Sequence, residues 1–184
     1  MPFSFKDNHS PSENDDPIHY AGFSVRALAA IIDSAIFVPF IFLSTYNQLS
    51  IKYLPLELII IVIVMFYKPL MEWKYQATLG KMAMKIKVIA EVGGPMTLAQ
   101  SFVRSLIFIG SSVISALIDL AVFSHPDFYE VTTFKEMVKF PPYLSYGSAH
   151  DSLMFILMIS ISFVIFDQRH QGVHDKMGRT LVVH

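Results

Sequence analysis

Phe23 to Phe42 reads FSVRALAAIIDSAIFVPFIF, an apolar run that opens near Arg26 and carries Asp33 seven residues further on. Seven residues is two helical turns, so the two side chains share one helix face, with Asp33 about 10 Å further along the axis. In a soluble protein this would be a core helix with an awkward aspartate. In a bilayer it is a span with an interfacial cation and an intramembrane carboxylate, a position that costs roughly 2.5 to 3.5 kcal/mol on insertion scales.

Composition decides between the two settings. The 184 residues are 53% hydrophobic and 16% charged, against a usual charged share of about 25%. Apolar runs recur with polar segments between them, which makes this a single-domain integral membrane protein. The net charge of −1 gives no reason to expect nucleic acid as a partner. There is no cysteine, so a disulfide framework, a thiolate metal site and a cysteine nucleophile are excluded. Residues 1–22 are polar, lack the cationic start and apolar core of a signal peptide, and are expected to form a disordered cytoplasmic tail.

The expected fold class is an all-α polytopic membrane protein with about four transmembrane helices and a small cytoplasmic β pair. The spans fall at about 26–45, 53–71, 102–123 and 150–166 within a membrane domain covering 23–184. Ala27, Ala30 and Ser34 put small side chains on the Arg26/Asp33 side of the first, where a neighbouring helix could approach. The second has only Leu58 to Tyr67 strictly apolar, so Glu57 and Lys68 must snorkel or face protein. Between the second and third spans, Lys85 to Ala90 alternates charged and apolar residues as a half-buried strand does, and Gly93, Gly94 and Pro95 make a turn. Thr97 followed by Gln100 is a capping-box start for the third helix. That helix is expected to continue unbroken to Phe123, with Arg104 near one end, Asp119 near the other, and a seam of Ser111, Ser112, Ser115 and Ala116. Ser124 to Ser148 reads as a long loop at the membrane surface, and Thr180 to Val183 as a strand beside Lys85 to Ala90.

Eleven basic residues lie in the N-terminal segment to Arg26, in 68–104 and in the C-terminal tail, against Lys52, Lys135 and Lys139 on the other side. The positive-inside rule then places both termini in the cytoplasm of a cell (inner) membrane protein.

Several residues could carry chemistry. Asp33 is deep enough to receive a proton or cation, or else partners a polar group on another helix. Arg26 could reach Asp33, Asp167 or Asp175, or serve only as a topology anchor. Thr78, Leu79, Gly80 and Lys81 resemble a phosphate loop, but the upstream glycine is missing and no strand precedes them. His170 and His174 with Asp175 have ligand types at helical spacing, yet Gly172 favours a turn and a third strong ligand is not evident. No cofactor and no metal are expected, and no nucleophile with an evident base points to an enzyme.

Together these residues form a pattern. Arg26 and Asp33 in an Ala-rich span, Thr78-Leu79-Gly80-Lys81 before Lys85-Ile86-Lys87-Val88 and a Gly-Pro turn, Arg104 opening a later helix, and Gln171-Gly172-Val173-His174-Asp175-Lys176 before Thr180 and Val182 occur in this order. The chain thereby resembles the RDD family of bacterial membrane proteins, over about Tyr20 to Val183. That family takes its name from an arginine and two aspartates, and is generally described as of unsettled function, with transport suggested. The resemblance carries over to Arg26 and Asp33 directly, and for the second aspartate to Asp175 ahead of Asp167.

Two functions compete. In one, a small homo-oligomeric transporter exchanges a monovalent cation for protons through Asp33, with Arg26 and Asp175 setting its pKa. In the other, a non-transporting module folds its loop and tail into a platform for a partner protein or lipid headgroups, held by Arg26, Lys81 and Asp175.

Overall fold

The structure, a computed structural model, describes residues 19–145, 152, 155, 156, 159, 167 and 170–184. Three helical stretches among these residues, Phe23–Ile51, Leu54–Tyr75 and Leu106–Ser124, are long and apolar enough to cross a bilayer. The fourth expected span, 150–166, falls almost wholly outside the described residues.

Helix α1, Phe23–Tyr46, runs through Pro39 and passes into a π-helical turn at Asn47–Ile51. Its 24 residues extend about 36 Å at 1.5 Å per residue, enough for a hydrocarbon core of about 30 Å. Apolar side chains point outward along it, with Ile31 64% and Phe42 73% exposed. In a chain of this composition such a surface faces lipid. Helix α2, Leu54–Tyr75, begins with Pro55 in its first turn, where a missing N–H costs nothing. Its expected end, 71, is exceeded by one turn, so Glu72 lies inside the helix and fully buried.

Beyond α2 the chain folds back. Thr78 caps the short helix α3, Leu79–Ala83, and strand β1 follows at Lys87–Ala90. The expected strand began two residues earlier. Lys85 instead takes a left-handed φ of 56°, and Ile86 N–H donates to Lys81 O at 3.0 Å, closing α3 before extension can start.

The capping box at Thr97 and Gln100 forms as read and opens α4, Leu98–Arg104. The single helix expected to continue from there does not form. Ser105, with φ −95° and ψ 3°, separates α4 from α5, Leu106–Ser124. The break lets α4 turn Arg104 into a buried polar cluster while α5 continues as the apolar span.

The segment expected as a loop after Ser124 has structure of its own. A 3-10 turn at Pro126–Glu130 leads to α6, Phe134–Val138, which has a Thr133/Glu136 capping box. Phe123, Phe128, Val131, Met137 and Phe140 close a small apolar core here with Ile118 and Val122 of α5.

At the C-terminus, α7 (Val173–Gly178) precedes strand β2, Thr180–Val183. The two strands pair antiparallel, with Lys87 opposite Val183 and Ala90 opposite Thr180. An isolated pair is marginal in water. Here it shares a core with α1: Ala21, Ala29, Ile86, Val88, Met96 and Val182 pack together. Residues 19–22, assigned from sequence to a disordered tail, also join it. Ala21 N–H donates to Val182 O at 2.9 Å, and His184 N–H to His19 O at 3.1 Å. Residues 19–22, strand β1 and the C-terminal strand therefore form one unit at one end of the helices.

Candidate functional site

The sequence-marked residues divide between two polar centres at that end. The first is Asp33. It does not meet Arg26; α3 packs against α1 and supplies its partners. Gly80 N–H donates to Asp33 Oδ1 at 2.8 Å, Thr78 O–H donates to Oδ2 at 2.6 Å, and Tyr67 O–H from α2 donates to Oδ1 at 2.9 Å. All three donors are neutral groups. The approach is close because residue 80 is glycine: a Cβ there would lie 2.0 Å from Ala29 O and 2.9 Å from Asp33 Cγ. The small residue that admits α3 is Ala29, 1% exposed. Ala30 and Ser34, expected to receive a neighbouring helix, are exposed instead, since α3 approaches from the Ala29 side.

The second centre is an ion network. Arg26 Nη1 lies 2.6 Å from Asp175 Oδ2, and Arg104 Nη1 2.7 Å from Asp175 Oδ1. Arg104 also reaches Glu72 Oε2 through Nε at 3.0 Å and donates to Thr180 Oγ1 at 2.7 Å. Lys81 completes the chain on Glu72 Oε1. The Asp175 and Glu72 side chains are wholly buried, and the Arg104 side chain is 1% exposed. The order of contacts, Arg26, Asp175, Arg104, Glu72, Lys81, joins α1, α7, α4, α2 and α3. Gly178 brings α7 onto α4, where a Cβ would lie 3.2 Å from both Arg104 Cβ and Gln100 O.

Asp175 also accepts Gly172 N–H at 3.0 Å, capping its own helix. Burial opposes its charge, but Arg104 and Arg26 outweigh that and hold its pKa well below the usual carboxylate range. His174, whose Nε2 is 3.2 Å from Asp175 Oδ1, is pushed down to about 3, chiefly by burial, and is neutral at pH 7. Burial likewise lowers Lys81, to about 8, against the pull of Glu72.

Asp167 lies near enough to the network for its charge to act on Arg26. It accepts Gln171 N–H at 3.0 Å and pairs with Lys176 at 2.5 Å. Of the three aspartates weighed as partners for Arg26, Asp175 makes the 2.6 Å ion pair. Glu72 went unrecognised in the sequence reading, although a carboxylate one turn after Lys68 inside a helical pattern was a visible signal. Tyr67 and Thr180 give no such signal, being ordinary residues of a span and a strand.

These contacts fasten five helices through charges that are nearly all spent on one another. The sequence model of the RDD family matches residues 20–179. No curated protein and no solved structure matches the chain.

Proposed function

The chain belongs to the RDD family, and from that premise we propose that its arginine and two aspartates act as the clamp of a membrane scaffold. The clamp holds the loop and tail as a folded platform against the cytoplasmic ends of the spans. The observation that carries this reading is that both oxygens of Asp33 already accept hydrogen bonds from the protein. Three donors within 2.9 Å occupy its two oxygens, which is the coordination of a structural anchor. A carboxylate that exchanges ions needs a free oxygen and a path to it.

The platform's outer surface fits anionic lipid headgroups. Trp73 and Tyr75 at the end of α2 and Leu79 and Met82 of α3 are exposed, a set suited to the interfacial zone. Lys74, Lys85, Lys87 and Arg179 are also exposed, and juxtamembrane cations contribute about 1 kcal/mol each near an anionic leaflet. The eleven-to-three split of basic residues supports a cytoplasmic side for this face.

The test is thermal unfolding in nanodiscs of phosphatidylcholine alone and with phosphatidylglycerol. Wild type should be more stable with the anionic lipid, and a variant with Lys74, Lys85, Lys87 and Arg179 changed to Gln should lose that difference. Equal stability of wild type in both lipids would leave a protein partner as the occupant of the face and refute the lipid reading.

A further inference from the structure

The chain enters the small sheet beside its basic edge. Tyr20 bridges Val183 antiparallel on one side of β2, and Lys87 pairs antiparallel with Val183 on the other. The segment through Tyr20 and strand β1 therefore run the same way on the two flanks of β2, about 10 Å apart at two strand spacings. Residues before Tyr20 leave the sheet at the end where Lys85 and Lys87 lie. The bonds of Ala21 N–H to Val182 O and of His184 N–H to His19 O fix that exit.

At this end two cations are unspent. Lys85 and Lys87 are exposed, and neither forms an ion pair with a described residue. The nearby carboxylates are taken: Asp175 by Arg26 and Arg104, Glu72 by Arg104 and Lys81, and Asp167 by Lys176. Residues 1–18 lie outside the described residues, and their sequence carries Asp7, Glu13, Asp15 and Asp16 against Lys6. Asp16 and Asp15 stand four and five positions before Tyr20, a reach of up to about 14 and 18 Å of chain. That exceeds the distance across β2.

Exposed ion pairs are individually weak, but a tether this short raises the local concentration to the millimolar range. A leaflet rich in anionic lipid offers many more negative charges to the same lysines and displaces a contact of that strength. We propose that Glu13, Asp15 and Asp16 cover Lys85 and Lys87 and give way to anionic lipid headgroups, so that the chain carries its own competitor for part of its cationic face. Arg179, at the opposite end of β2, stays open to lipid. This regulation rests on the lipid reading of the same face.

The experiment treats the full chain in nanodiscs with a water-soluble carbodiimide, which joins carboxylates to amines in contact, and maps the links by mass spectrometry of peptides. In phosphatidylcholine alone, Glu13, Asp15 or Asp16 should link to Lys85 or Lys87. With phosphatidylglycerol present most of that yield should be lost. A variant combining Glu13→Gln, Asp15→Asn and Asp16→Asn, all upstream of the contacts described, should show a larger rise in unfolding temperature from the neutral to the anionic lipid than wild type does. No link in phosphatidylcholine, a yield unchanged by phosphatidylglycerol, or an equal lipid shift in variant and wild type would overturn the proposal. Wild type equally stable in both lipids, with links that form and yield to phosphatidylglycerol and a variant that does gain stability, would support the competition and fault only the claim that lipid stabilises the wild-type platform.

Discussion

Gly80→Ala adds one methyl group where α3 meets α1, and the structure allows its cost to be worked out. The new Cβ would sit 2.0 Å from Ala29 O and 3.0 Å from Ala29 C, whereas uncrowded contacts of this kind need about 3.5 Å. The obstacle is helix backbone, so α3 must retreat by more than 1 Å by this estimate. That movement breaks the 2.8 Å and 2.6 Å hydrogen bonds of Gly80 N and Thr78 Oγ1 to Asp33. Hydrogen bonds to a charged group are each worth about 1.5 to 3 kcal/mol, so their loss costs roughly 3 to 6 kcal/mol. Alanine returns about 1 kcal/mol in helix propensity. The net is a loss of about 2 to 5 kcal/mol, which lowers the unfolding temperature by several degrees to over ten at about 2 to 4 °C per kcal/mol. The assay is thermal unfolding of purified protein in detergent, with Gly22→Ala as the control, since a Cβ at residue 22 meets nothing within 4 Å. If the two variants melt together, the account of Asp33 as an anchor fails.

The remaining predictions concern the ion network and the topology. Asp175→Asn leaves Arg26 and Arg104 without their shared carboxylate and should destabilise by about 3 to 5 kcal/mol; a cost under about 1 kcal/mol by chemical unfolding would mean that the charges find other partners. His174 protonates in the unfolded chain near its ordinary value of 6.5 and in the folded protein only near 3. The unfolded state thus binds more protons in that window, and stability should fall by up to about 1.4 kcal/mol per unit as pH drops through it. His174→Gln should flatten the slope between pH 6 and 4.5, and an unchanged slope would assign it to other groups. Reporter fusions after Asn47 and near Tyr143 should read external and one after His184 cytoplasmic; an external C-terminus would reverse the platform's side.

Much of the fold was legible because membranes impose long apolar runs and strands impose alternation. Leu54–Tyr75 and the pairing of Thr180–Val183 with the segment before Gly93 follow from those periods. The break at Ser105 was not legible, since the apolar pattern runs through it and the cause is Arg104 meeting Glu72 and Asp175. The site was readable as a set of residues and unreadable as a set of contacts. Asp33 and Gly80 both stood out, yet their bond uses a backbone N–H that no residue type announces. Glu57 and Asp119 are 62 positions apart by their numbering and meet only through the packing of α2 on α5 and the bridging Gln48.

The central claim, that the RDD charges fasten the two ends of the chain, is tested most directly by a double-mutant cycle on Arg26 and Asp175. Arg26→Met, Asp175→Asn and the double variant would be unfolded reversibly beside wild type in the same detergent. Side chains 2.6 Å apart and buried should show a coupling free energy of about 1 to 3 kcal/mol, so that the double variant costs less than the sum of the single changes. Additivity within about 0.5 kcal/mol, as for distant independent sites, would contradict the clamp.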